Sequence, residues 1–159
     1  MKKTIKIFLY TAFGIYCLAL IKFLLLDGRF QTEDSVGYYF SRSNLLPFKT
    51  VWAYIQKLKN DSINLVTVIT NLFGNFIVLF PMGCFLPCLF FKMRKFTNTI
   101  FVCLAIVSVV ELLQPLLCIG YFDIDDFIFN LTGAGLGFLT VHIPFLNKVL
   151  TNIGIYVEK

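Results

Sequence analysis

The sequence predicts an all-α membrane protein: four transmembrane helices, with an interfacial helix on the outer leaflet between spans one and two. Three observations carry this. The composition is 58% hydrophobic, 17% aromatic and only 14% charged, where soluble domains carry about 25% charged residues. A chain of 159 residues has too little interior to bury such a surplus. Four apolar runs approach or exceed the roughly 20 residues that cross a bilayer, and the basic residues gather at their ends.

The first run, residues 5–26, follows Lys2, Lys3 and Lys6. It reads as a retained signal anchor, because a cleaved signal peptide has an apolar core of about 7–15 residues followed by a small-x-small site. Here the run is longer and ends in Leu24-Leu25-Leu26-Asp27. The second run is residues 63–91, the third 97–119 and the fourth 127–146. Pro81 and Pro87 lie inside the second and Pro115 inside the third, so kinks or breaks are expected there. Residues 1–159 form one domain, whose sizeable polar piece is the loop at 27–62.

Charge sets the expected orientation. With the N-terminus inside, the cytoplasmic side holds Lys2, Lys3, Lys6, Lys92, Arg94, Lys95, Lys148 and Lys159, with Glu158 as its acid. The outer side holds Arg29, Arg42, Lys49, Lys57 and Lys59 against Asp27, Glu33, Asp34, Asp61, Asp123, Asp125 and Asp126. The excess of basic residues on one side predicts that both termini are cytoplasmic. The net charge of +5 is thus a topology signal, and no basic stripe for nucleic acid stands apart from the spans.

Within the loop, residues 48–59 place Val51, Trp52, Ile55 and Leu58 on one helical face, with Lys49, Gln56, Lys57 and Lys59 largely elsewhere. Pro47 stands just ahead, where helices readily start. An amphipathic helix of this kind lies in the headgroup plane. A plain loop carrying a few aromatics is the alternative.

The candidate site residues are those that hydrocarbon rejects. Asn71 and Asn75 share a face of span two; Glu111 and Gln114 share one of span three; Asp126 and Asn130 open span four, and Gly133 and Gly137 continue that face. At about 1.5 Å per residue, Asn71, Asn75 and Glu111 lie roughly 12, 18 and 12 Å below the outer ends of their spans. With Asp123, Asp125 and Asp126 at the rim, three helices can line one polar cavity open to the outside. Buried Asn and Gln also serve simply to bond helices together. An ionisable group inside a span marks a functional site by default, which singles out Glu111. Gly133-x-x-x-Gly137 permits close helix approach, and His142 reads as structural.

The five cysteines fall in or beside the apolar runs, which argues against a disulfide framework or a structural zinc site. No cofactor motif, Walker loop, HExxH or hydrolase elbow occurs, and no catalytic nucleophile is evident. No bound metal and no cofactor are expected.

Four stretches in order carry a resemblance: Asn44-Leu-Leu-Pro47-Phe48; Asn71-x-x-Gly74-Asn75 leading to Phe80-Pro81-x-Gly83; Glu111-x-x-Gln114; and Asp123-Ile-Asp125-Asp126-x-x-x-Asn130-x-x-Gly133-x-x-x-Gly137. Through them the chain resembles the VanZ-like family of small bacterial membrane proteins. It departs from that pattern at Gly120 and Tyr121, near where many members place an Arg before the aspartates. The resemblance implies a bacterial cell-membrane location and low-level resistance to teicoplanin and related lipoglycopeptides. The partners expected are membrane lipids and a lipid-linked cell-wall precursor or lipoglycopeptide, bound or shielded at the outer leaflet. Two further classes stay open. One is a membrane enzyme with Glu111 as acid or base and Asp123, Asp125 and Asp126 around a divalent cation. The other is a small transporter or channel.

Overall fold

Four of the helices are long and apolar enough to cross a membrane, at Lys3–Leu24, Leu65–Leu89, Phe96–Leu116 and Ile124–His142. The computed structural model describes residues 2–26 and 35–155. The charges counted above at Asp27, Arg29, Glu33, Asp34, Glu158 and Lys159 lie outside those residues. In chain order the helices are α1 (Lys2–Ile21), continued by a π-helical turn Lys22–Leu26, α2 (Val36–Ser41), α3 (Lys49–Lys59), α4 (Leu65–Leu89), α5 (Phe96–Leu116), α6 (Ile124–His142) and α7 (Pro144–Asn152). A 3₁₀ turn, Phe91–Arg94, joins α4 to α5. Among the described residues the only extended pairing is an isolated parallel bridge between Asn44 and Asp123.

The helix ends follow from local chemistry. Asn64 caps α4 by accepting from Thr67 N at 2.8 Å, and Asp123 caps α6 by accepting from Asp125 N at 2.9 Å. The fourth span therefore starts at Ile124, earlier than the apolar run suggests. It ends at His142, short of the expected 146. Pro144 biases Ile143 out of the helical region, to ψ 131°, and opens α7 instead. Of the kinks or breaks expected in span two, no break occurs: α4 runs through both Pro81 and Pro87. Beside the turn that Pro81 loosens, the Tyr16 hydroxyl of α1 donates to Val78 O at 2.7 Å.

The centre of the bundle is the α4–α6 crossing. A Cβ added at Gly133 would stand 1.9 Å from Phe76 O, and one at Gly137 2.0 Å from Phe80 O. The partner residues advance in step, so α4 and α6 run parallel. From the other side, a Cβ on Gly83 would stand 1.9 Å from Ala134 O. Only glycine lets two backbones lie this close, and in lipid such contact replaces the hydrophobic drive that water would supply. Around the crossing pack Leu79, Met82, Leu86, Cys103, Val107 and Ala134. The outward faces are apolar too, as with Phe8, Leu18, Phe101 and Leu139.

Helix α1 lies on the rim, touching α4 through Phe13 and Tyr16, whose rings sit 5.6 and 5.8 Å from that of Phe85. It runs antiparallel to α4, since Tyr10 reaches Leu89 while Tyr16 reaches Val78. The molecule thus has two distinct ends. The basic end carries Lys2, Lys3, Lys6, Lys92, Arg94, Lys95 and Lys148, with no acid among the described residues. The loop end carries α2, α3, the start of α4 and the α5–α6 connection.

Candidate functional site

At the loop end, four carboxylates and three carboxamides are brought together by two short crossovers. The backbone of Asn44 pairs with the α5–α6 connection: Asn44 N donates to Phe122 O at 2.7 Å, and Ile124 N donates to Asn44 O at 3.0 Å. Its buried side chain completes the latch, donating to Asp123 Oδ1 at 2.9 Å and to Thr50 Oγ1 at 3.1 Å. Thr50 in turn donates its hydroxyl proton to Asp123 Oδ2.

Asp125 does something the sequence did not announce. Helix α3 begins after Phe48, which is in the left-handed region at φ 64° and offers no side-chain cap. Asp125, 1% exposed, supplies the cap from α6. Its carboxylate accepts from Phe48 N, from Thr50 N at 2.8 Å and from Val51 N at 3.3 Å. An anion at a helix N-terminus satisfies donors that have no intrahelical partner and meets the positive end of the dipole. The absence of Ser, Thr, Asp or Asn at position 48 was the signal that an outside acceptor was needed.

Glu111, on α5, is 2% exposed. Its Oε2 accepts from Asp123 N at 3.0 Å. Pro115, one turn on, has no N–H to give the Glu111 carbonyl. Asp126 accepts from Asn75 Nδ2, and its carbonyl accepts from Asn130 Nδ2 at 2.9 Å. That last bond folds the Asn130 side chain back over the first turn of α6. Its Oδ1 is buried without a hydrogen-bond partner.

The structure therefore brings Asn75, Glu111, Asp123, Asp126 and Asn130 together where α4, α5 and α6 meet. Asn71 and Gln114 are used differently. Asn71 donates to the Tyr54 hydroxyl of α3 at 3.0 Å, tying α3 to α4. Gln114 packs beneath Gly120, where an added Cβ would stand 3.3 Å from its own Cβ. At the departure from the family pattern, Tyr121 stacks on Tyr39 of α2, centroids 5.3 Å apart. Asn44, Thr50 and Tyr54 are the participants that the reading of polar residues in spans left out, and Asp125, expected at the rim, is instead buried as the cap of α3.

The cluster is rich in acceptors and largely buried, Asn44, Glu111, Asp125 and Asn130 among them. The rim acids have separate bonding partners: Asp123 the Asn44–Thr50 pair, Asp125 the start of α3, Asp126 Asn75. Among the described residues no group of three acidic, His or Cys side chains is arranged to hold a metal ion.

The profile of the VanZ/LLP1 family matches residues 13–146. No curated protein and no solved structure matches the chain. The matched stretch takes in three of the membrane-length helices and the second half of α1, and it includes every residue of the polar cluster. By that match the chain belongs to the VanZ/LLP1 family, as a protein with four helices of membrane-spanning length.

Proposed function

We propose that this protein acts at the outer face of a bacterial cell membrane, where it binds or shields a lipid-linked ligand and so gives low-level protection against teicoplanin-type lipoglycopeptides. The observation that carries the reading is Glu111: a carboxyl 2% exposed, set among other acids rather than beside a base. Retaining such a group within a span is costly and marks a working site. With Asp126 and the unbonded Asn130 Oδ1, it offers acceptors to a ligand head rich in N–H or O–H donors. Helix α3 supports the lipidic half of the proposal. Trp52 is 61% exposed and Ile55 also stands out, an apolar face suited to the headgroup boundary. Tyr54 and Asp125 fix that helix over the cluster. Expression in a susceptible bacterium is expected to raise the inhibitory concentration of teicoplanin more than that of vancomycin, which lacks the lipid tail. An equal effect on both drugs, or none, would count against a lipid-directed role.

The proposal requires the loop end to face outward, with both termini in the cytoplasm. The seven described basic residues of the basic end favour it. In a cysteine-free background, Ser62→Cys should react with an impermeant maleimide in intact cells, and Lys95→Cys only after lysis. The reverse pattern overturns the orientation.

A further inference from the structure

After α5 the chain doubles back on itself. Cys118 turns it in the left-handed region at φ 56°, and Ile119 N donates to Gln114 O at 3.0 Å. It then descends along the helix it has just left: Gly120 lies against Gln114, and Asp123 N reaches Glu111 Oε2. Glu111 stands five residues before the end of α5 at Leu116, a rise of about 7.5 Å. Its side chain leans toward the start of that helix, so Asp123 sits below the end of α5. At that depth the outward residues of α5, Leu112 and Leu116, are apolar and exposed. The segment 43–48 is held at the same depth, because the Asn44 backbone bridges Phe122 O and Ile124 N.

We infer that this segment is a re-entrant strap, its outer side immersed in the acyl chains of the leaflet at the loop end. Asn44 at its start is buried, whereas Leu45, Leu46 and Phe48 are 60–70% exposed. Non-helical backbone is tolerated at membrane depth where its polar groups are bonded within the protein. Bonds of that kind run along the strap. Asn44 uses both its N–H and its carbonyl, Leu46 N donates to Asn44 Oδ1 at 3.1 Å, and Phe48 N donates to Asp125. Pro47 has no N–H to satisfy, and Lys49 N donates to Leu46 O at 3.3 Å. Held above the bilayer, the same strap would present three large apolar side chains to water, the kind of patch that marks an interaction surface. Lipid is the occupant because the strap shares its depth with the bilayer face of α5.

The chain has one tryptophan, Trp52, so Trp52→Phe gives a silent background in which Leu46→Trp or Phe48→Trp is the reporter. The full chain is placed in nanodiscs of phosphatidylcholine brominated on its acyl chains, whose two open faces admit iodide to both ends. Leu116→Trp marks the bilayer face of α5, and Ser62→Trp, at an exposed position, marks the loop end. Both strap reporters are expected to lose emission to brominated lipid as fully as Leu116→Trp, and to iodide far less than Ser62→Trp. Quenching by iodide to the level of Ser62→Trp, with none by bromine, puts the strap in water and overturns the inference. Shielding from both quenchers overturns it too, since protein, a second copy included, would then cover that face. No ligand or drug enters the readout, so its outcome is separate from that of the proposed activity.

Discussion

Gly133→Ala, an exchange that would stabilise an ordinary helix, is expected to cost this protein its fold in detergent. The new methyl carbon would stand 1.9 Å from Phe76 O, a backbone atom that cannot rotate away. Either α6 moves off α4 or the carbonyl is displaced, and both disrupt the crossing on which the bundle rests. Overpacking of this kind typically costs about 1–3 kcal/mol and at times more. Contact with backbone puts this case at about 3 kcal/mol or above. Gly137→Ala, 2.0 Å from Phe80 O, and Gly83→Ala, 1.9 Å from Ala134 O, should behave alike. The control lies in the same helix as Gly83. Nothing stands within 4 Å of a Cβ at Gly74, so Gly74→Ala should be neutral or stabilising by about 0.5–1 kcal/mol. The monodisperse fraction surviving a heat challenge reads the difference. If Gly133→Ala survives as well as Gly74→Ala, the close crossing is wrong.

Asp125→Ala is the second large effect. It removes the acceptor of three N–H groups at the start of α3, and Phe48 has no side-chain cap to offer in its place. Losing a cap costs about 0.5–2 kcal/mol, and leaving buried donors unpaired about 1–3. A loss of about 2–3 kcal/mol would lower the unfolding midpoint by about 5–10 °C for a chain of this size. Helix α3 should also become open to trypsin at Lys57 and Lys59. Thr50→Val, which deletes only the hydroxyl linking Asn44 to Asp123, should shift the midpoint less. An unchanged midpoint in Asp125→Ala would show that the cap does not hold α3 in place.

The four membrane-length helices were legible because hydropathy and length act on each segment alone. Their ends were less so: Pro144 and the Asp123 cap moved the boundaries of α6 by a few residues, and Pro81 and Pro87 failed to break α4. Glu111, Asn75, Asp126 and Asn130 could be singled out because hydrocarbon makes each of them costly. The latch between Asn44 and Asp123 could not. Those residues are 79 apart, both sit in polar segments where Asn and Asp cost nothing, and no periodicity links them. Asn71 shows the converse limit. It shares a helix face with Asn75, yet one turn is enough to bring it to Tyr54 instead of the acids.

The central claim is that the buried carboxyl of Glu111 works rather than merely holds helices together. The measurement is teicoplanin susceptibility of cells expressing wild type, Glu111→Gln or Glu111→Ala, each adjusted to the same abundance in the membrane. Glutamine keeps the shape and can still accept from Asp123 N, so a structural role would tolerate it. The account predicts that both variants, folded and present at wild-type levels, return susceptibility to that of cells without the protein. Full protection by Glu111→Gln at matched abundance would contradict it.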